Sequence, residues 1–562
     1  MIDKIRSFAS LEGLLLLNLV LGCFLANVGY LIGCSLLATA CITSLAVCAL
    51  LAVVSDKRTV VLWLICLISC LVATLYTFSY VDSDGITVHF PCQALLIDGW
   101  NPIKTCLPKD IMALGVDGPR WSSYVAFMPK FTALGGALIA RTFSLFVGDS
   151  FVGYTLIIAL GIVARRFGHH LWPSASRFAV LVFVLSCIGS TQMLSIMSGR
   201  IDYTVYAATL ILSFSGWLIY ERDEHRDYLV FFAAFVIAFS AKALSLAFSL
   251  LALFLLVGAC AKRLRVYVML AFCLLFAVVI GWSPIFTAWI PLEPINITED
   301  FVANADGAKL GWIGRVLYAW FSKFIVVKIG AVLTGNSAFS PDLKCLGGGN
   351  LEGFGAVFRG LMILSVVALF LSKKNGAFWT CLMLFLLGNA MPTKYIGYSR
   401  YCPEIWAVPI IAFYNFAFCN NLQTKVTVCC LQKVVIVFFI VFSGPILLRV
   451  FAMQMRFLAL ESDRQKAIAE LSHIDSIGEP VSGEKFVMCR RLRAGGVKVD
   501  KNNINNRISP YCGFLIIDGE SAEKRDKALQ IRYPEMYDLR NVIRFPWVDV
   551  LANMPHPLFV RR

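Results

Sequence analysis

The chain has 562 residues, of which 59% are hydrophobic and 15% charged, and its mean hydropathy is +0.75. A soluble globular domain is roughly half apolar and a quarter charged, so this balance excludes an ordinary soluble protein; repeated long apolar runs make it a polytopic α-helical membrane protein. The net charge of +15 is no nucleic-acid footprint, because much of the basic excess lies in short loops between apolar runs, where it sets topology.

The N-terminal MIDKIRSFASLEGLLLLNLVLGCFLANVGYLIG joins a basic start to an apolar stretch without a small-x-small cleavage site, and reads as a retained first helix. Apolar length places spans near 12–30, 33–54, 59–80, 150–167, 177–196, 203–220, 228–241, 244–260, 266–286, 356–372, 377–391, 403–420 and 430–450, about thirteen in all. Charge orders the loops. With Lys4 and Arg6 inside, the cytoplasmic loops carry Lys57/Arg58, Arg165/Arg166, Arg222/Arg226, Lys262/Arg263/Arg265, Lys373/Lys374 and Lys425. The opposite short loops carry only Arg200, Lys242, Lys394 and Arg400.

SSYVAFMPKFTALGGALIARTFSLFVGD (122–149) is apolar enough to span, but a span there would invert every later loop. It is expected to lie on the outer surface as an interfacial helix, with Pro129 and Arg141 in support. The 228–260 run reads as two short helices hinged near Lys242. Outer regions then fall at 81–149, 287–355, 392–402 and 451–562. The last is rich in charge, with strand-like EKFVMC and CGFLIIDG and a helical SAEKRDKALQIR, which predicts a small soluble α+β domain. Residues 1–58 are two leading helices and 59–450 the main membrane region.

Most of the 19 cysteines lie in apolar runs, where Cys acts as a small hydrophobe. In an oxidising outer compartment, Cys92–Cys106 and Cys489–Cys512 are candidate disulfides. No Cys or His spacing suggests a metal site.

Ionisable side chains gather on the outer side. DSDGITVHFP (82–91) follows the third apolar run, and a partly desolvated Asp82 or Asp84 there has the tunable basicity of a general base, with His89 beside them. GWNP holds Trp100 and Asn101 in a turn, and FMPK supplies Lys130. SGRIDY supplies Arg200 and Asp202, FSAKALS Lys242, and KYIGYSRYCPEIW Lys394, Tyr398 and Arg400. Each cation alone also fits a snorkelling anchor. Together they suit a phosphate or pyrophosphate, Arg as a planar fork and Lys as a point charge.

DGITVHFPCQALLIDGWNP (84–102) resembles the first outer loop of the GT-C superfamily of membrane glycosyltransferases. That superfamily includes protein O-mannosyltransferases and lipid A aminoarabinose transferases. MPK, FSLFVGDS, GRIDY, AFSAKAL and SRYCPEIWAVP resemble its later landmarks over about residues 59–420. The resemblance implies a GT-C-like helical fold with a polyprenyl-phosphate sugar as donor. The acceptor would be a glycan, lipid or protein on the periplasmic face of a bacterial inner membrane. It puts Asp84 at the catalytic acid and Arg400 at the donor phosphate, with Lys242 or Lys394 assisting. It needs no nucleotide and no nucleic acid.

The chain departs from that pattern in three ways. The acid follows the third helix rather than the first. Asp84-Gly85 replaces the usual Asp-Glu, with Asp82 upstream, which leaves the division of labour between Asp82 and Asp84 open. Val88 stands where an aromatic is usual. A divalent cation near Asp82 and Asp84 is compatible with the residues, and metal dependence stays open. The glycine-rich CLGGGNLEGFG (345–355) reads as a lid rather than a nucleotide cradle. A lipid-linked glycan transporter or flippase is the alternative outside enzymes, and an O-antigen ligase or polymerase the alternative within them.

Overall fold

A computed structural model describes residues 10–76, 88–287, 356–390, 403–419 and 429–447, with breaks at 106, 117–121, 123, 127–128, 146–147, 197–200, 442 and 445–446. Toward the C-terminus it describes 472, 477–478, 485–500, 507–511 and 514–518. Every apolar run expected to span contains a helix. Those in the first half are α1 (Leu11–Leu31), α2 (Leu37–Ser55), α3 (Lys57–Tyr76), α7 (Asp149–Leu171), α8 (Arg177–Ile188), α9 (Asp202–Arg222), α10 (His225–Ala241), α11 (Ala243–Ala259) and α12 (Leu264–Thr287). Those in the second half are α13 (Ala356–Leu371), α14 (Gly376–Ala390), α15 (Ala407–Cys419) and α16 (Cys429–Val441). Six of them, α1, α2, α3, α7, α9 and α12, are long and apolar enough to cross a membrane.

Local signals start these helices. The Ser10 hydroxyl accepts from Gly13 N at 3.2 Å and caps α1. Asp56 caps α3, accepting from Thr59 N at 2.7 Å and from the Thr59 hydroxyl at 2.6 Å, and these bonds hold its carboxyl below the usual range.

The bundle has two ends of different character. Arg166 near the end of α7 joins Glu12 in the first turn of α1, at 2.5 Å, and Asp227 in the first turn of α10. Arg263 donates to Ile219 O at 2.6 Å and Tyr220 O at 3.0 Å at the close of α9. The 372–375 loop meets α15, Asn415 donating to Lys373 O at 3.1 Å, and the Cys419 thiol reaches Leu171 O. Trp63 of α3 packs with Leu14, Leu15, Cys48 and Ala52, so the α2–α3 turn lies at this end too. The loops expected to be cytoplasmic therefore share one end wherever they are described. A helix of 21 residues is about 30 Å long, and α1 carries Tyr30 to the far end. There the Asn101 amide donates to Tyr30 O at 2.8 Å.

The far end holds three short helices, α4 (Phe90–Ile97), α5 (Pro108–Ala113) and α6 (Phe131–Phe143). Thirteen residues give α6 about 20 Å, short of the ~30 Å hydrocarbon core. It packs against α1, α2, α4 and the start of α7, with Phe131 through Ala140 all buried. Glycines allow that crossing: a Cβ on Gly148 would lie 2.3 Å from Gly136 O and 3.0 Å from Ala140 N. Gly148→Ala is expected to lower stability by about 1–3 kcal/mol, since the obstruction is backbone that cannot step aside. An unchanged melting temperature in detergent would contradict this packing.

The expected hinge is present. Lys242 alone is extended, at φ −152° and ψ 144°, between α10 and α11. The Ser245 hydroxyl donates to Ala238 O and Lys242 O, satisfying carbonyls that the break exposes.

The C-terminal pieces are α+β, with one correction. EKFVMC is not a strand: α17 spans Lys485–Ala494. Its buried Cys489 and Leu492 recur at helical spacing, and the helix stops at Gly495 and Gly496, the latter at φ +82°. Six residues were too few to show that period. CGFLIIDG does hold a strand. The sheet comprises β1 (Ile477–Gly478), β2 (Val499–Asp500), β3 (Arg507–Tyr511) and β4 (Phe514–Asp518) in the order β2-β1-β3-β4. Its β3–β4 pair is antiparallel and the β1 pairings are parallel. SAEKRDKALQIR lies outside the described residues. Arg490 of α17 pairs with Asp98 and donates to Ala94 O at 3.2 Å, which docks the C-terminal piece on the close of α4 at the far end.

The Cys92–Cys106 disulfide expectation is also corrected: Cys92 is a free, buried thiol, while Cys489 is buried on α17. Cys92 faces the core from α4, where burial pushes its thiol above the usual range. Cys106 and Cys512 lie outside the described residues.

Candidate functional site

Two charged constellations occupy the far end. In the first, the helix break leaves Lys242 between α10 and α11, and its ammonium bonds the Asp202 carboxylate at 2.7 Å. Asp202 is the first residue of α9, where the helix dipole favours an anion. Its side chain is 2% exposed and that of Lys242 17%. The next residue, Tyr203, donates its amide to Ser195 Oγ at 2.8 Å and so ties α9 to the short 3₁₀ turn at Thr191–Ile196. Glu404 is 7% exposed in a second 3₁₀ turn, Pro403–Trp406, which packs on α9, and the field of the Lys242 ammonium reaches it. Asp202 and Lys242 therefore form a buried ion pair at this end, with the carboxyl of Glu404 within range of the ammonium's field.

The second constellation hangs on α4 and the turn that follows it. Trp100 donates its indole N–H to Thr105 O at 2.9 Å, and the Lys130 ammonium lies 5.8 Å from the Trp100 ring centroid. Lys130 is 2% exposed and donates to Ala126 O at 3.0 Å. A cation over an indole face in a desolvated setting is held by the ring quadrupole. Asn101 serves the fold, its Oδ1 accepting from Ile103 N at 3.0 Å and Lys104 N at 3.2 Å while its amide holds Tyr30 O. His89 directly precedes α4, partly buried, and its side chain makes no capping bond to that helix.

The structure thus brings Asp202 to Lys242 and Trp100 to Lys130. Asp82, Asp84, Arg200, Lys394, Tyr398 and Arg400 lie outside the described residues, as do residues 288–355 and 392–402 of the expected outer regions. Among the described residues no group of three His, Cys, Asp or Glu could hold a metal.

Two residues were not singled out from sequence. Glu404 was visible only as a carboxylate entering an apolar run, and that anomaly was its signal. Gln93 is buried on α4, with neither its amide nitrogen nor its oxygen bonded among the described residues. A Cβ on Gly136 would lie 2.9 Å from its nitrogen, so the amide sits against the α6–α7 crossing. Nothing in its sequence neighbourhood distinguishes it. A buried amide with both valences open is rare enough to mark a place where a polar group belongs.

No protein-family model matches the chain, and no curated protein matches it.

Proposed function

We propose that the chain is a membrane glycosyltransferase that moves a sugar from a polyprenyl-phosphate donor to an acceptor hydroxyl of a cell-envelope glycan, lipid or protein. The supporting observation is the buried Lys242–Asp202 pair with Glu404 in its field. Charges are costly inside a membrane bundle, so ionisable residues held there are functional candidates. The pair sits at the end where the first-loop motif folds, and Arg200 and Arg400 are two and four residues from Asp202 and Glu404 in the chain.

In this reading the donor phosphate meets Lys242 and Arg400. The acceptor oxygen attacks the anomeric carbon from the face opposite the phosphate, and its proton passes to Asp84. The bond from the anomeric carbon to the phosphate oxygen breaks, and polyprenyl phosphate leaves with the electron pair. The configuration inverts, and the cations hold the charge that grows on the leaving oxygen. Trp100 and Lys130 shape the acceptor side. The face is the periplasmic one of a bacterial inner membrane.

The test is transfer from a labelled polyprenyl-phosphate sugar by the full chain in nanodiscs, with donor affinity read separately. Lys242→Met is expected to weaken donor binding about tenfold or more, as for loss of one charge-assisted contact. Donor affinity equal to that of the unaltered protein would remove Lys242 from the site. Absence of transfer from every polyprenyl-phosphate sugar tried, with donor bound, would favour the transporter alternative.

A further inference from the structure

A groove of about 670 Å³ opens on the bundle far from the site above. It lies between α9, α10, α11 and α14, and Leu212, Trp217, Tyr220, Leu255, Trp379 and Leu386 mark its extent. The walls are almost wholly apolar, and Tyr220, Leu255, Trp379 and Leu386 are exposed, so the groove faces the bilayer. Its volume falls in the ~300–1,000 Å³ range of ligand sites. From Leu212 to Tyr220 it runs about 12 Å along α9, close to the depth of a single leaflet.

The mouth of the groove lies at the basic end. Tyr220, Ala259 and Trp379 line it one turn or less from the loops 221–226, 260–265 and 372–375. Those loops carry seven basic side chains and three acidic ones, Glu221, Asp223 and Glu224. Two of the acids are engaged. Asp223 takes Arg263 at 3.7 Å, Arg265 at 3.8 Å and the Tyr228 hydroxyl at 2.6 Å, and Glu224 takes Arg222 and Arg226, each at 2.5 Å. Lys262, Lys373 and Lys374 are exposed and form no ion pair with another described residue. Trp217 fixes the lip by packing on Gly376, where any Cβ would fall 1.9 Å from its indole nitrogen.

We propose that this groove is a binding site for an anionic glycerophospholipid, one acyl chain lying between α9, α11 and α14 and the headgroup phosphate meeting Lys262, Lys373 and Lys374. Basic mouths on apolar clefts between membrane helices suit such headgroups, because the chain and the phosphate are satisfied at once. A zwitterionic lipid fits the cleft equally but gains nothing from the lysines. The site is independent of the sugar-transfer reading, since it lies at the opposite end of α9 from Asp202.

The experiment uses the full chain in phosphatidylcholine vesicles with trace spin-labelled phosphatidylglycerol or phosphatidylcholine. The motionally restricted fraction of each gives relative affinity. The unaltered protein is expected to prefer phosphatidylglycerol about fivefold or more, near the worth of one surface lysine. The preference should fall to about one in a variant carrying Lys262→Gln, Lys373→Gln and Lys374→Gln together. It should fall likewise in Leu255→Trp or Leu251→Trp, which fill the groove from its bilayer side, with helical content by circular dichroism unchanged. No preference in the unaltered protein overturns the proposal. So does a preference that survives either groove-filling variant in folded form, because the lysines would then act as a diffuse surface charge.

Discussion

Replacing Asp84 by Asn is expected to reduce sugar transfer by about 10²–10⁴-fold, the usual cost of losing a positioned general base, while donor affinity stays within a few fold. The amide keeps the size of the carboxylate but cannot accept a proton, so the loss belongs to chemistry rather than to packing. Asp82→Asn is the companion measurement. A similar collapse would mean that the two acids act as a unit, and near-normal transfer would assign the base to Asp84 alone. Full activity in Asp84→Asn would withdraw the proposed mechanism, whatever Lys242 does.

The second large effect concerns stability. Arg166 satisfies Glu12 and Asp227 together, and the two carboxylates are almost completely buried. Arg166→Met should destabilise the protein by about 3–5 kcal/mol, because it leaves two buried acids without their cation. The combined variant Glu12→Leu, Arg166→Met, Asp227→Leu should recover most of that loss, since an apolar triad of similar volume needs no desolvation. Thermal unfolding in one detergent compares the three proteins. If the single and triple variants melt together, the triad is not the tie between α1, α7 and α10 described above.

Much of the architecture was legible because a bilayer constrains sequence harder than water does. Apolar length found the helices of the expected spans, and loop charge placed Arg166, Arg222, Arg263 and Lys373 at one end, where the structure holds them. The same charge logic read 122–149 as non-spanning, and the segment holds the 13-residue helix α6, buried from Phe131 to Ala140. The hinge at Lys242 was readable from a lone cation interrupting an apolar run. EKFVMC misled because apolar and polar residues alternate over so short a piece, whereas the helical period needs the following RRLRA to show itself. The Cys92–Cys106 pairing failed because a polar neighbourhood in sequence does not tell which way a side chain faces, and α4 turns Cys92 inward. At the site, Asp202 and Lys242 were each noticed, but their pairing spans 40 residues and depends on where α10 ends. Glu404 and Gln93 owe their interest to burial alone, and burial of a single polar residue has no local pattern.

The tie between Glu12 and Arg166 joins residues 154 positions apart, and this has a consequence for biosynthesis. At about 5–20 residues per second, a ribosome needs roughly ten to thirty seconds to deliver the guanidinium after the carboxylate. During that interval the first helix waits at the insertion machinery with its acid hydrated at the membrane border. Its lateral docking into the bundle is therefore postponed until the seventh and tenth helices arrive, so assembly closes from the middle of the chain back onto its beginning.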